Sequence, residues 1–136
     1  MHKQLSLVDL VAAVRDRINN NCELVCHDCV TENLPAPFCF AEVVRVSPAD
    51  TKTMYVKSYE VIIHVIAEEG NTSVPIYRHI QDVQEAMTED IVLPAYVHLV
   101  SQTDAGVQAI TTDETGEKHA ILDYVFLIAY GYKIKQ

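Results

Sequence analysis

Apolar and polar residues alternate with different periods along the chain, and these periods predict the order of its helices and strands. From residue 7 to residue 18, apolar residues recur every three or four positions, which is the spacing of one face of an α-helix. Ser6 is suited to cap this helix, and Asn19–Asn21 are suited to end it. A second helix is predicted to begin at Ser73 and Pro75, because proline is favoured in a first helical turn. The predicted buried stripes are Leu7, Leu10, Val11, Val14 and Ile18 in the first helix, and Ile76, Ile80, Val83 and Met87 in the second.

Other apolar runs have the period of strands. Residues 38–46 (FCFAEVVRV) form the first. Residues 53–67 give the strongest strand signal, with Tyr59, Val61, Ile63, Val65 and Ala67 on one face and Ser58, Glu60 and His64 among those on the other. Residues 91–102 predict a third strand, which Asp104–Gly106 should end, and residues 107–111 predict a short continuation. Residues 120–132 form the last strand. Because that strand is apolar on both faces from Val125 to Ala129, we expect it at the centre of the sheet, covered on both sides.

These elements predict an α+β fold in the order α-β-β-α-β-β, with one additional short strand allowed. Short turns between neighbouring runs favour a mostly antiparallel sheet with two helices packed on it. The sequence contains no internal repeat, linker or low-complexity tract. We therefore expect residues 1–136 to form a single domain.

Charge excludes one class of partner. The chain has 136 residues and a formal net charge of -9. Residues 68–123 contain eleven acids against two bases, a balance of -9, so the remainder is neutral. Such a chain repels phosphate backbones, and we expect no specific nucleic-acid binding. The acidic half is either a solvated face or a surface that meets a basic protein partner.

The hydropathy pattern indicates whether the chain is expected in a membrane or to be secreted. No apolar run is long enough to span a bilayer, and Asp9 interrupts the N-terminal segment too early for a secretory signal. We therefore expect no membrane association, a cytoplasmic origin and reduced cysteines.

All four cysteines fall in one window: Cys22, Cys26, Cys29 and Cys39. The Cys26-x-x-Cys29 spacing allows two thiolates to bind one zinc ion, with Cys22, His27 or Cys39 completing four ligands. Structural zinc sites usually pair two such motifs, whereas this chain has one. The sequence therefore favours a loop and strand edge with reduced thiols, and leaves a small zinc-stabilised protein-binding module built on the Cys22–Cys39 window as the alternative.

No motif indicates catalysis. The six histidines are scattered, the four glycines are not clustered, and no spacing joins a histidine to a nucleophile. The acid pairs 68–69, 89–90 and 113–114 fall in turns or at helix ends. We predict no catalytic, cofactor-binding or metal-binding residue, no cofactor and no enzymatic activity. Five tyrosines on two strands are expected to pack in or on the sheet, with a protein interface as the alternative; they are Tyr55, Tyr59, Tyr124, Tyr130 and Tyr132.

The order and character of these segments resemble the small tail-terminator and tail-completion proteins of long-tailed bacteriophages and prophages. The similarity runs through LSLVDLVAAVRDRI, ENLPAPFCFAEV, TKTMYVKSYEVIIHVIAEEGN, VPIYRHIQDVQEAM and TDETGEKHAILDYVFLIAYGY, which cover nearly the whole chain. The cysteine window is a departure from the family pattern.

The resemblance implies a structural virion protein that forms a ring, often a hexamer in such families, at the head-proximal end of the tail. Such a ring ends growth of the tail tube and joins the tail to the head. The implied partners are other copies of the chain, tail-tube proteins and head-completion proteins. The implied locations are the virion tail and the cytoplasm of the bacterial host.

Overall fold

A computed structural model describes residues 2–27 and 34–133 of the chain. The described residues form two helices and five strands. In chain order these are α1 (Leu7–Asn21), β1 (Cys26–His27), β2 (Phe38–Pro48), β3 (Met54–Ala67), α2 (Val74–Ala86), β4 (His98–Thr112) and β5 (Lys118–Tyr132).

The helices begin where the sequence predicts. The Ser6 Oγ accepts a hydrogen bond from the Asp9 backbone N–H at 3.1 Å, which satisfies one free amide of the first turn of α1. Pro75 lies in the first turn of α2, where its missing N–H removes no helical hydrogen bond. The predicted stripes are buried except at their margins, where Leu7 is exposed and Val11 is half-buried.

The sheet has the strand order β1-β2-β3-β5-β4. Every neighbouring pair is antiparallel except β1 with β2, which is parallel. The prediction of an α+β fold with a mostly antiparallel sheet is confirmed. The central position of β5 is confirmed as well, since it lies between β3 and β4.

Both helices pack on one face of this sheet. Alternate residues of β3 and β5, among them Val61 and Phe126, belong to one buried cluster with Val14 of α1 and Val83 of α2. The intervening residues point the other way, and Ile121, Val125 and Leu127 of β5 are only half-buried there. The expectation that β5 is covered on both sides is therefore wrong: the described helices cover one face. We call the other face the open face.

The strand β4 differs most from the sequence-based prediction. It begins at His98 rather than at residue 91, and it runs through Asp104–Gly106 without ending. Its pairing with β5 instead shifts register three times, at Leu99/Ser101, Asp104/Gly106 and Val107/Ala109. Gly106 has a φ of 104°, a conformation that a glycine adopts at little cost within a bulge. The predicted break is thus a bulge inside one long edge strand.

The additional short strand lies elsewhere than at residues 107–111. It is β1, which continues from α1 and pairs with the start of β2. The Asn19 side chain fixes this segment: its Oδ1 accepts from the Cys26 N–H at 2.7 Å, and its Nδ2 donates to the Cys26 carbonyl at 3.2 Å. Asn19 therefore lies within α1 and binds the next strand, whereas the sequence indicated only a helix stop.

Candidate functional site

The open face combines half-buried apolar side chains with polar groups that lie close together. Its apolar members on the two central strands are Ile62 and Ile66 of β3 and Ile121, Val125 and Leu127 of β5. No described helix covers them, although aliphatic side chains of this size stabilise a fold by about 1.5–3 kcal/mol each when fully buried. Such a face is suited to contact with another protein.

A pair of carboxyl groups lies in the middle of this face. In the β3–β5 register, Glu60 is opposite Val125 and Asp123 is opposite Ile62, so the two acids are diagonal neighbours. Asp123 is only 7% exposed and is the one buried charged residue among those described. Its Oδ2 accepts a long hydrogen bond of 3.5 Å from the Gln108 Nε2 of β4. Its Oδ1 is buried and has no donor within reach in the described part of the chain.

This environment changes the acidity of Asp123. Burial first, and then a hydrogen bond with the Glu60 carboxyl and the Glu60 charge, together raise the pKa of Asp123 from 3.8 to about 6. A hydrogen bond between two carboxyls requires that one of them be protonated. When both are ionised, the Asp123 Oδ1 is left with neither a proton nor a donor. At neutral pH the pair is therefore an unsatisfied negative group.

A hollow of about 340 Å³ opens beside the pair. It is lined by Arg45 and Ser47 of β2, Ser58 and Glu60 of β3, and Val125 of β5. Arg45 is directly opposite Glu60 in the register, yet no ion pair within 4.0 Å joins it to either acid in the described structure. The hollow is large enough for a side chain from another molecule.

Two histidines meet on the same face, nearer the other end of the strands. The His64 Nε2 lies 2.6 Å from the Glu42 Oε1, and the His64 Nδ1 lies 2.9 Å from the His119 Nε2. With Glu42 ionised and His64 neutral, the Nε2–H donates to Glu42 and the Nδ1 accepts from His119. Burial, and then the charge of His64, lower the pKa of His119 below 6.5. Phe40 stacks on the His64 ring at 4.4 Å. The sequence could not reveal this group, because it depends on the β3–β5 register.

The remaining histidines have separate surroundings. His2 packs against Tyr55, and His27 contacts the edge of Phe38. The His79 Nε2 lies 3.1 Å from the Glu68 Oε1, and His98 is exposed at the start of β4. Apart from the His64–His119 contact, the histidines lie as scattered as the sequence suggested.

The fold brings some of the cysteines of the window close together. Cys26 of β1 is paired with Cys39 of β2 in the sheet register, and both are buried in the helix-side cluster. Cys22 is half-buried beside this cluster, while Cys29 lies outside the described residues. A hydrogen bond with Cys26 and burial raise the pKa of the Cys39 thiol, and burial raises that of Cys22. Within the described ranges no group of three or more His, Cys, Asp or Glu residues is placed to hold a metal ion.

The predicted acid pairs have roles in turns and ion pairs. The Glu89 Oε2 lies 2.8 Å from the Arg17 Nη1, which joins the turn that follows α2 to α1. The Asp113 Oδ1 accepts from the Thr115 hydroxyl and N–H and from the Glu117 N–H, which closes the β4–β5 turn. The Thr115 hydroxyl, first among these contacts, lowers the pKa of Asp113. These are the turn functions expected of such residues.

The five tyrosines predicted on the two strands divide between the core and one end of the sheet. Tyr59 and Tyr124 are buried, whereas Tyr132 is 66% exposed. Tyr55 stacks on Tyr130 at that end, where β3 begins and β5 ends. Several lysines contact tyrosine rings there: Lys3 is over Tyr96 at 4.4 Å, Lys57 over Tyr130 at 6.0 Å and Lys133 over Tyr55 at 5.3 Å. We call this region, with Lys52 of the preceding turn, the lysine–tyrosine end.

These elements define the class of fold: a small α+β domain whose sheet has one broad face that no described helix covers. The chain belongs to a family of phage tail terminators, whose family model, described as "Putative tail termination protein", matches residues 1–136. It is thus a structural component of a phage-type tail.

Comparison with solved structures agrees with the fold. A chain of the "Virion of native gene transfer agent (GTA) particle" is similar with a TM-score of 0.71 and 18% sequence identity, and the match covers 93% of this chain and 99% of that one. At this identity the likeness concerns the fold. No curated protein sequence matches the chain. None of the described helices is both long and apolar enough to cross a membrane.

Proposed function

We propose that this protein forms a ring, hexameric as the family resemblance implies, at the head-proximal end of a phage tail. The ring ends growth of the tail tube and joins the tail to the head. Residues 1–136 act as a single tail-terminator domain, without enzymatic activity, cofactor or specific nucleic-acid binding. The partners are other copies of this chain, the tail tube and head-completion proteins, and the protein is made in the bacterial cytoplasm before it enters the virion.

The match of the family model along the whole chain is the observation that carries this proposal. The surfaces described above supply physical support. An open sheet face with half-buried aliphatic side chains is stabilised when another protein covers it. The carboxyl pair on that face and the lysine–tyrosine end provide two charged surfaces of opposite sign. A contact between different surfaces of successive copies closes into a ring when the rotation between them divides a full turn.

The proposal is tested by the length of tails. Tail tubes are assembled with the wild-type protein, without it, and with a charge-matched unrelated protein of similar size, and the lengths are measured by electron microscopy. The expected result is a narrow length distribution and joining to heads only with the wild-type protein. Tubes that reach the same length without it would refute termination. Native mass spectrometry of the same sample measures the number of copies in the ring and any bound zinc.

A further inference from the structure

We propose that the open face binds a lysine of a second copy of this chain, whose ammonium group enters the hollow beside Glu60 and Asp123. Apolar and tyrosine side chains around that lysine then cover Ile62, Val125 and Leu127. This inference rests on the proposed ring and identifies the contact between its neighbouring subunits.

The first support is the state of Asp123. A carboxylate that is 7% exposed has lost most of its hydration, and its Oδ1 has no donor within reach in the described residues. An unsatisfied buried group of this kind carries a cost in free energy that a charged donor removes. Gln108 reaches only the Oδ2, at 3.5 Å. Asp123 is the diagonal neighbour of Glu60, which lines the hollow. An amino group in the hollow would therefore contact the Glu60 carboxylate and lie beside the Asp123 carboxylate.

The charged surroundings favour a single added cation. Among the described residues, Arg45 on β2 faces the pair without an ion pair to it, and the amide of Gln108 on β4 faces it as well. With both acids ionised, the site carries two negative charges against one guanidinium. One ammonium group brings the sum to zero. It also occupies the position that the shared proton holds at low pH.

The choice of a second copy follows from where this chain carries its own lysines. Among the described residues the lysines other than Lys118 gather at the lysine–tyrosine end; they are Lys3, Lys52, Lys57 and Lys133. Lys3 and Lys52 are exposed, and Tyr132 beside them is 66% exposed. Tyrosine is enriched at protein interfaces, and the lysines beside it supply the positive charge that the carboxyl pair lacks. The end and the open face are different surfaces, so the contact is heterologous, as a ring requires.

The test compares self-association of the wild-type chain with Asp123→Asn and Glu60→Gln by sedimentation velocity at pH 7.5. Each variant keeps the shape of the side chain and removes one charge. Glu114→Gln, in the exposed β4–β5 turn, is the matched control. We expect about tenfold weaker association for each hollow variant, since a hydrogen bond to a charged partner is lost, and no change for the control. Thermal unfolding of the variants verifies that they are folded.

A zero-length carbodiimide cross-link identifies the partner group. Equal amounts of ¹⁵N-labelled and unlabelled chain are mixed, cross-linked and digested. The expected product is a mixed-label peptide that joins Glu60 or Asp123 to a lysine of the lysine–tyrosine end. Because carbodiimide joins only carboxyls and amines in contact, this product reports the geometry directly.

Three outcomes overturn the inference. If Asp123→Asn and Glu60→Gln self-associate as strongly as the wild-type chain, the hollow is not in the contact. Variants that associate normally but no longer bind tail tubes show that the partner is another virion protein. A wild-type chain that is monomeric at all concentrations excludes a second copy as the occupant. In each case the tail-length measurement decides separately whether the proposed function stands.

Discussion

Replacement of Asp123 by asparagine tests whether the carboxyl pair destabilises the isolated chain. The amide keeps the volume of the side chain and has no charge. Its oxygen can still accept from Gln108, and its NH₂ group can donate to Glu60. The substitution therefore removes the repulsion and supplies the missing donor in one step.

The magnitude follows from the acidity of the group. The difference between a pKa of about 6 in the folded chain and 3.8 for an ordinary Asp corresponds to about 3 kcal/mol. Because the folded value is the higher one, the folded chain binds the proton more tightly than the unfolded chain. Its stability is therefore greatest below pH 3.8 as far as this group is concerned, and falls as the pH rises to about 6. At pH 7.5, Asp123→Asn should raise the free energy of unfolding by up to about 3 kcal/mol. At pH 4 it should change it little.

The assay is urea unfolding followed by circular dichroism at pH 7.5 and pH 4, at concentrations where the chain is monomeric. Glu60→Gln should stabilise the chain in the same direction, because it removes the other carboxyl, and Glu114→Gln should have no effect. A loss of stability in Asp123→Asn at pH 7.5 would refute the reasoning, since it would mean that donors already satisfy the carboxylate. A gain of stability together with weaker self-association would show that the fold retains a costly group for the sake of a contact.

Three further predictions concern other parts of the chain. Burial and the charge of His64 lower the pKa of His119 in the fold, so this histidine makes the folded chain less stable as the pH falls below 6.5. The stability of His119→Gln should therefore fall less than that of the wild-type chain between pH 7.5 and pH 5, as measured by thermal unfolding. An unaltered pH dependence would exclude the assigned role. The Gln102 side chain donates to the Met87 and Glu89 carbonyls and accepts from the Ile91 N–H. Gln102→Leu should therefore lower the free energy of unfolding in urea by about 1–3 kcal/mol, whereas Gln81→Leu, on the exposed face of α2, is a near-neutral control. Equal effects of the two substitutions would contradict the reasoning. Treatment with a strong zinc chelator should leave the melting temperature unchanged, while stoichiometric zinc in the native mass spectrum would establish the zinc-stabilised alternative.

The local pattern of apolar and polar residues was sufficient to predict the helices and the central strands. The cap at Ser6, the stripe that includes Ile18 and the alternation from Tyr59 to Ala67 all depend on near neighbours in sequence, and the structure confirms each. The central place of β5 followed from the apolar residues on both of its faces between Val125 and Ala129. These features report on burial, which a single segment displays by itself.

Features that depend on register could not be predicted. Whether residues 104–106 end β4 or bulge out of it is decided by pairing with β5, which the local sequence does not display. The Glu60–Asp123 pair and the His64–His119 contact likewise require the alignment of β3 with β5. The sequence showed only that an acid and a histidine occur at alternating positions of otherwise apolar strands. It indicated unusual residues on one face without identifying their partners.

The place of β5 in the sheet has a consequence for how the chain folds. Its two neighbours, β3 and β4, both precede it in the chain, so β4 and the β5-facing edge of β3 stay unpaired until residues 118–132 have been synthesised. The β3–β5 register joins Met54 to Tyr132 at one end and Ala67 to Lys118 at the other, separations of 78 and 51 residues. Such non-local pairing gives a high contact order, and domains of this kind typically fold in milliseconds to seconds rather than microseconds. During synthesis on the ribosome, the helices and β3 therefore keep apolar surface exposed until β5 completes the sheet. Surfaces that depend on both β3 and β5, such as the open face, exist only after that step, so a nascent chain cannot make the proposed subunit contact before it has folded.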